Sequence, residues 1–141
     1  MEVAGYSGTP LARKLSLKDG QRVWWEDVPD GVRSEIEKSG FALELLDAAE
    51  APIDVAHIFV RSRAALEGAV HRLMPLLASS GFIWISWPKK ASKLPTDISE
   101  DRIRDVIIPL GLVDVKVCAV DATWSGLKLM IRKERRSSIA T

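Results

Sequence analysis

A cluster of basic side chains directly follows one apolar segment of the chain. Residues 81–93 read GFIWISWPKKASK, so that Lys89, Lys90 and Lys93 come after a tryptophan-containing run and stand beside Ser92. A dense apolar run of this length is typical of a buried strand. Ammonium groups next to a hydroxyl can hold a phosphate or a carboxylate. The pattern therefore predicts an anion-binding loop at the end of a strand.

Further polar or aromatic side chains stand at the ends of other predicted strands. Arg61 follows the apolar stretch VAHIFV, and Asp121 and Trp124 stand at the short link between the last two strands. In open α/β sheets, ligands bind outside the carboxyl ends of the strands, where these groups would meet. Trp124 could stack on a flat ligand. The predicted ligand-binding residues are Arg61, Lys89, Lys90, Ser92, Lys93, Asp121 and Trp124.

A less specific interpretation of the same residues stays open. The lysines could form a solvated loop, with Asp121 paired to one of them at the surface, an arrangement that adds at most about 1 kcal/mol to stability.

The other reactive residue types do not form a recognisable catalytic or metal-binding motif. His57 and His71 are fourteen residues apart, with no pair of histidines or cysteines at metal-ligand spacing, so we expect no metal site. Ser125 lacks the G-x-S-x-G motif of a hydrolase. The lone Cys118 lies in an apolar pattern and is expected to be a packed thiol. We expect His57 to be a hydrogen-bonded core histidine.

Composition excludes several classes of protein. The chain has 141 residues, 47% hydrophobic and 28% charged, with a formal net charge of +1. This balance gives no overall field that would attract nucleic acid or an acidic membrane. No apolar run approaches the length of about 18 residues that a membrane-spanning helix needs, and no signal peptide is evident. We therefore expect a cytoplasmic protein with no nucleic-acid or membrane partner.

Hydrophobic periodicity and capping residues predict alternating strands and helices. Helices are expected after the caps Thr9, Asp30, Ser62 and Ser99, and Gly81 is expected to open the central strand. The last two strands are separated by three residues, too few for a parallel crossover, so they should form an antiparallel hairpin. The predicted fold is a three-layer α/β sandwich with a mostly parallel sheet. The predicted strands are residues 22–25, 41–46, 54–60, 82–87, 112–120 and 124–132.

We expect a single α/β domain over residues 1–133 and a flexible tail over residues 134–141. The five tryptophans are expected to pack on both faces of the sheet. Trp24 and Trp25 are adjacent in one strand and must point to opposite faces, and Trp84 and Trp87 also differ in facing. They therefore cannot form one stacking platform for nucleic-acid bases.

The order of elements resembles the second half of class I methyltransferases, which have a Rossmann-like fold and use S-adenosylmethionine. The resemblance implies that Asp47, near the end of the second strand, could hold the ribose of that cofactor. Two features depart from the pattern. The turn after the first strand, residues 26–31, has glycine only at its last position, and no strand or helix is evident between Leu46 and Asp54. A relative of those enzymes would thus be a reduced one.

Three motifs resemble a bacterial family of small proteins catalogued as a domain of unknown function. They are GYSGTPLARKL near the start, WPKKASKLPTD in the middle and GLVDVKVCAVDATWSGLKLMIRK near the end. The resemblance covers nearly the whole chain and implies no activity.

Three functions stay open from the sequence. The first is a non-catalytic domain that binds a small anionic ligand or an acidic protein surface at the strand-end edge. The second is a reduced methyltransferase, in which Asp47 would hold ribose and Asp121 would act near the acceptor. The third is a homodimeric interaction protein that uses its tryptophans and terminal hairpin.

Overall fold

Strands and helices alternate along the chain, as the sequence predicts. The structure, a computed structural model, describes residues 9–136. Its strands are β1 (Arg22–Glu26), β2 (Glu44–Leu45), β3 (Ile53–Phe59), β4 (Leu77–Pro88), β5 (Leu112–Ala119) and β6 (Trp124–Ile131). Its α-helices are α1 (Leu11–Lys14), α2 (Asp30–Glu37), α3 (Arg63–Leu73), α4 (Glu100–Ile107) and α5 (Lys133–Arg136), and short 3₁₀ turns span Met74–Leu76, Lys90–Ser92 and Ile108–Leu110.

The six strands form one sheet in the order β2-β1-β3-β4-β6-β5. Strands β2, β1, β3 and β4 pair in parallel, whereas β6 is antiparallel to both of its neighbours. The predicted mostly parallel sheet with a closing antiparallel hairpin is confirmed.

Helices cover both faces of the sheet and give the predicted three layers. On one face, α3 and α4 pack their apolar sides on β3, β4 and β6, with Leu66, Leu73 and Ile103 fully buried. On the other face, α1 and α2 contribute a second cluster that includes Leu15 and Ile36. The amphipathic spacing that predicted these helices is thus the spacing that buries them.

The tryptophans divide between the two faces as expected. Trp24 and Trp87 pack with the cluster under α3 and α4, and Trp25 and Trp84 pack with the cluster under α1 and α2. The indole of Trp84 is fully buried and donates to the carbonyl of Leu15 at 2.9 Å.

The central strand starts earlier than predicted. Strand β4 begins at Leu77, which pairs with Ile53, so Gly81 lies inside the strand instead of opening it. A Cβ atom at Gly81 would approach the carbonyl oxygen of Ile53 to 2.7 Å. Glycine at this position therefore allows β3 and β4 to approach each other closely, where the register between them shifts. It does not mark a turn.

Strand β2 is shorter than predicted. Only Glu44 and Leu45 pair with β1, and residues 41–43 run outside the ladder. Both residues are exposed, as suits a short edge strand that offers little surface for pairing with another chain. Between Leu46 and Pro52 the chain forms no helix or strand, in agreement with the predicted gap.

Parts of two sequence predictions lie outside the described residues. The first motif, GYSGTPLARKL, starts at Gly5, and the predicted tail ends at Thr141, whereas the structure describes residues 9–136. Within that range, Lys133–Arg136 forms α5, and Arg135 donates to the carbonyl oxygen of Leu110 at 3.3 Å.

Candidate ligand-binding site at the switch point

A cleft opens where the sheet topology changes direction. The chain passes from β1 to β2 on one side and from β3 to β4 on the other, although β1 and β3 are neighbours. Loops at the carboxyl ends of β1 and β3 therefore diverge to opposite faces and leave a crevice, which is the usual ligand site of open α/β sheets. The cleft has a volume of about 760 Å³. We call it the switch-point cleft; it is lined mainly by the ends of β1 and β3, one face of α3 and Trp124.

An ion pair joins two walls of the switch-point cleft. Arg72, on α3, donates to both carboxylate oxygens of Glu26 at the end of β1, at 2.7 and 3.0 Å. The indole of Trp24 donates to the same carboxylate at 2.7 Å. The hydrogen bond from Arg72 is the main reason why the pKa of Glu26 lies below its ordinary value, although burial acts in the opposite direction. The Glu26 carboxylate is therefore ionised and is held in place in the wall of the cleft.

Arg61 presents an unpaired cation at the same cleft. Its backbone is fixed, because its carbonyl oxygen accepts hydrogen bonds from the amide of Asp97 at 3.2 Å and from the hydroxyl of Thr96 at 2.7 Å. Its side chain is exposed and has no hydrogen-bond or ion-pair partner among residues 9–136. A guanidinium on a rigid backbone can bind a carboxylate or a phosphate through two parallel hydrogen bonds.

The start of α3 beside Arg61 is well capped. The hydroxyl of Ser62 accepts from the amide of Ala65 at 3.1 Å, as the predicted cap requires, and the amide of Arg63 donates to the Asp97 carboxylate at 2.7 Å. The start of α3 therefore helps to position Arg61. Two of its backbone amides, those of Arg63 and Ala65, already have acceptors and are not free to bind a ligand.

Aromatic rings form another side of the cleft. Trp124 meets Phe59 edge to face, with ring centroids 5.0 Å apart at an interplanar angle of 77°. Phe59 in turn stacks on His57 at 4.6 Å. Trp124 is therefore fixed in orientation while half-buried in the cleft wall, which suits contact with a flat ligand.

The face of α3 that borders the cleft carries small residues. Ala65, Gly68 and Ala69 lie along it, and a Cβ atom built at Gly68 would meet no atom within 4 Å. The space beside this helix is therefore open to a ligand.

The structure brings together only part of the predicted site. Arg61 and Trp124 both line the switch-point cleft, whereas Lys89, Lys90, Ser92, Lys93 and Asp121 do not line it. The lysine loop is nevertheless tied to the same edge, because the amide of Lys89 donates to the carbonyl of Thr123, next to Trp124, at 2.8 Å.

Ser92 and Asp121 have local structural roles. The Ser92 hydroxyl donates to the carbonyl of Lys89 at 2.7 Å and accepts from the amide of Leu94 at 3.2 Å. The Asp121 carboxylate accepts from the amides of Thr123 and Trp124, both at 2.8 Å, and closes the β5–β6 turn. Among residues 9–136 it forms no ion pair, so the surface pairing with a lysine that the sequence left open is not observed.

The loop itself is a 3₁₀ turn. It runs from Lys90 to Ser92 and ends at Lys93, whose φ of 63° is left-handed. Lys90 and Lys93 are exposed.

Sequence reasoning did not anticipate the Glu26–Arg72 pair. The two residues are 46 positions apart and belong to different elements, so no local spacing indicates their contact. The only signal in the sequence is that Gly68 and Arg72 share a helix face four residues apart, which places Arg72 on the side with the small residues.

The cleft does not fit S-adenosylmethionine as the methyltransferase resemblance would require. The turn after β1 contains no glycine before Gly31, which lies in α2 and does not line the cleft. Asp47, the residue expected to hold ribose, is exposed beyond β2 and does not line the cleft. Neither residue expected to approach or hold that cofactor therefore lines the cleft.

The remaining titratable candidates are packed groups. His57 is buried, with Nε2 at 2.7 Å from the Ser86 hydroxyl, and burial lowers its pKa to about 3. This confirms the predicted core histidine. Burial also raises the pKa of the Cys118 thiol, against the opposing effect of nearby lysines. Residues 9–136 contain no group of three or more His, Cys, Asp or Glu side chains that could hold a metal ion.

Within residues 9–136, every helix is too short or too polar to cross a membrane.

The fold is similar to that of solved methyltransferase structures. A SAM-dependent methyltransferase from Aquifex aeolicus matches with a TM-score of 0.59 and 16% identity, over 86% of this chain and 87% of that one. The ribosomal protein L11 methylase from Lactobacillus delbrueckii subsp. bulgaricus matches with a TM-score of 0.54 and 10% identity, over 86% and 75% of the two chains. Fibrillarin from Aeropyrum pernix, solved with bound S-adenosyl-L-methionine, matches with a TM-score of 0.51 and 13% identity, over 89% and 70%. At these identities the likeness shows a Rossmann-like, methyltransferase-like fold.

Sequence comparison gives the family. No curated protein matches this chain. Residues 12–133 match the family described as "Protein of unknown function (DUF3052)", a range that includes both the WPKKASK and the VCAVDATWSGLK motifs. The match spans most of the sequence and agrees with the family resemblance of those motifs, so this chain belongs to the DUF3052 family.

Proposed function

We propose that this protein is a non-catalytic binding domain for a small molecule that combines a flat ring with an anionic group. The observation that carries the proposal is the pairing of two features in the switch-point cleft: the unpaired Arg61 guanidinium and the fixed ring of Trp124. A ligand phosphate or carboxylate would bind Arg61, and its ring would lie against Trp124. The volume of about 760 Å³ is within the range of small-molecule sites.

The lysine loop belongs to this proposal as a second source of positive charge. Lys89 is anchored beside Thr123 at the same sheet edge, and Lys90 and Lys93 are exposed on the following turn. Long, mobile ammonium groups near a cleft strengthen the attraction for an anion without fixing its orientation. Arg61 would then determine the pose, and the lysines would raise the rate of association.

A concave cleft favours a small molecule over an acidic protein surface. Protein interfaces are generally broad, at roughly 800 Å² per partner. The groups that support anion binding here, Arg61 and Trp124, lie in a crevice walled by the Glu26–Arg72 pair. An acidic segment of a protein would have to enter this crevice to contact both.

The second candidate is a reduced S-adenosylmethionine-dependent methyltransferase. The specific observation in its favour is the fold, which solved methyltransferases share over most of this chain. It ranks second because the turn after β1 has no glycine before Gly31 and because Asp47 does not line the cleft. Binding of S-adenosylmethionine or S-adenosylhomocysteine at the cleft would reverse this order.

The test is a thermal-shift panel of nucleotides, coenzyme A, sugar phosphates, simple oxyanions and the two S-adenosyl compounds. A ligand at a hundred times its Kd adds about 2.7 kcal/mol to the stability of the folded state. The panel is repeated on Gly68→Leu, which fills the open space beside α3, and on Arg61→Ala, which removes the cation. Matched controls are Gly31→Leu on α2 and Arg63→Ala, whose side chain pairs with Glu67.

Gly68→Leu is informative because it should not harm the fold. Replacing an exposed helical glycine by leucine raises helix propensity by up to about 1 kcal/mol, and the new side chain meets no atom within 4 Å at its Cβ. A ligand whose stabilising effect is lost in Gly68→Leu and Arg61→Ala, but kept in both controls, supports the proposal. A ligand that stabilises all five proteins equally binds elsewhere and would contradict it.

A further inference from the structure

A second cavity lies at the opposite edge of the sheet. It has a volume of about 880 Å³ and is bordered by the amino ends of β1 and β3, the segment after α1, and the carboxyl end of β6. The parallel strands β1 and β3 begin at this cavity and end at the switch-point cleft, so the two sites lie at opposite ends of these strands. We call this second cavity the amino-edge cavity.

Three cations line this cavity, and a fourth stands next to it. Arg13, Lys18 and Lys128 are lining residues. Lys116 of β5 lies directly opposite Lys128 of β6 in the antiparallel ladder. Like charges at directly opposed positions of a sheet destabilise it. The Lys116–Lys128 pair is therefore expected to lower the stability of the fold.

Lys128 is the most enclosed of these cations, and its contacts are neutral. Its ammonium nitrogen donates to the Ser16 hydroxyl at 3.1 Å and lies 4.2 Å from the centre of the Phe82 ring. Burial lowers the pKa of Lys128, and the charges of Lys116 and Lys18 lower it further. The group is thus positioned by polar and aromatic contacts without being neutralised by an acid.

The two carboxylates that line the cavity accept hydrogen bonds from backbone amides. Asp19 accepts a hydrogen bond from the amide of Ala42 at 2.7 Å, and Asp54 accepts one from the amide of Arg22 at 2.8 Å. Neither forms an ion pair with Lys18 or Lys128, and within residues 9–136 no carboxylate pairs with any of the four cations. The cavity lining therefore holds three cations against two carboxylates, and within residues 9–136 no direct ion pair neutralises any of these cations.

We propose that the amino-edge cavity binds the phosphate group of a phosphorylated small molecule. The phosphate would lie between Lys128 and Lys18, within reach of Lys116 and Arg13, and would relieve the repulsion between the opposed lysines. Phe41, which also lines the cavity, offers an apolar surface to the rest of the ligand. The site is concave and of small-molecule size, which favours a metabolite over an extended polymer. It is independent of the switch-point cleft.

The experiment is isothermal titration calorimetry with pyrophosphate at low ionic strength. Wild-type protein should bind it, and the affinity should fall as salt is added, because salt screens exposed charges. Lys18→Gln, at an exposed position, should weaken binding about tenfold, as expected for loss of one charge-assisted contact. Lys128→Met should weaken it at least as much. Arg102→Gln, an equal charge change on α4 at the opposite face, should leave the affinity unchanged.

Amide chemical-shift mapping places the ligand. Pyrophosphate should perturb residues 16–21 and Lys128, and should leave Arg61 and Ser62 unchanged. The proposal is overturned if millimolar pyrophosphate gives neither heat nor shifts, or if Lys18→Gln binds like the wild type. A single-stranded oligonucleotide that binds this face while pyrophosphate does not would also overturn it, in favour of a polymer ligand. Lys18→Gln keeps the test decisive should Lys128→Met fail to fold.

Discussion

The buried pair of His57 and Ser86 links the stability of this protein to pH. His57 is 2% exposed, and burial lowers its pKa to about 3, against an ordinary value of 6.5. Between these two values the unfolded chain binds a proton that the folded chain does not, so stability falls as pH falls. The slope approaches about 1.4 kcal/mol per pH unit well below pH 6.5, and the loss between pH 7 and pH 5 is about 2 kcal/mol.

Urea unfolding at pH 7 and pH 5 measures this loss. In His57→Gln, which keeps a polar partner for Ser86, the pH dependence due to this residue should disappear even if the variant is less stable at both values. His71→Gln, at an exposed position on α3, is the control and should keep the wild-type slope. An unchanged slope in His57→Gln would assign the acid sensitivity to other groups.

Asp121 stabilises the turn between β5 and β6. Its carboxylate accepts two backbone hydrogen bonds at 2.8 Å. Asp121→Ala should therefore cost about 2 kcal/mol of unfolding free energy, since a net hydrogen bond contributes about 1 kcal/mol. Asp121→Asn keeps an acceptor oxygen and should cost much less. Equal losses in both variants, measured by chemical denaturation, would show that the negative charge matters more than the turn.

Among the elements, two glycines make opposite predictions for the same substitution. Gly81→Ala places a Cβ atom 2.7 Å from the carbonyl oxygen of Ile53, where backbone would have to move, and should destabilise by about 2 kcal/mol. Gly68→Ala meets open space on α3 and should stabilise by up to about 1 kcal/mol. Denaturation midpoints of the two variants should shift in opposite directions. A neutral Gly81→Ala would mean that β3 and β4 are not as close as described.

Two of the four predicted helix caps are confirmed, because Ser62 and Ser99 cap α3 and α4 through their hydroxyls. The predicted caps Thr9 and Asp30 were wrong, since α1 follows Pro10 and α2 follows Pro29, neither with a side-chain cap. Gly81 was misread because its reason is a contact with Ile53, nearly thirty residues earlier in the chain. Local pattern cannot distinguish a glycine that ends a strand from one that lets two strands approach.

The sequence indicated the strand-end edge of the sheet but not the cleft itself. Arg61 lies there because it follows β3, and Trp124 lies there because β6 starts at the end of β4 and runs antiparallel to it. The Glu26–Arg72 pair depends on how α3 lies across β1, a tertiary relation without a local signal. The amino-edge cavity has no local signal in the sequence for a similar reason. Lys18 and Lys128 are far apart in sequence, and only the sheet brings them together.

The short connection between β2 and β3 also explains why the switch-point cleft is open. One side of α3 packs against α4, whereas its other side, with Ala65 and Gly68, borders the cleft. The chain has no helix between β2 and β3 that could cover this side of α3. The short connection thus leaves exposed the helix face that borders the proposed binding site.

The outer strand β5 bears on whether this protein forms a dimer. Strand β5 is an edge strand, and Val115 and Val117 on it are 51% and 52% exposed, which could promote pairing with a second chain. Two features oppose such pairing: the register shift between Asp114 and Lys116, and the charge of Lys116 between the valines. In an antiparallel β5–β5 pair, the lysines of two chains would add to the repulsion from Lys128.

We therefore expect a monomer, and we expect Lys116→Val to self-associate as protein concentration rises. Light scattering coupled to size-exclusion chromatography measures both masses, with Lys116→Gln as the control that removes the charge but keeps a polar side chain. A wild-type dimer would contradict this prediction. It would favour instead the homodimer in which the terminal hairpin forms the interface. A monomeric Lys116→Val would instead show that the register shift alone protects the edge, because it twists β5 away from a flat pairing geometry.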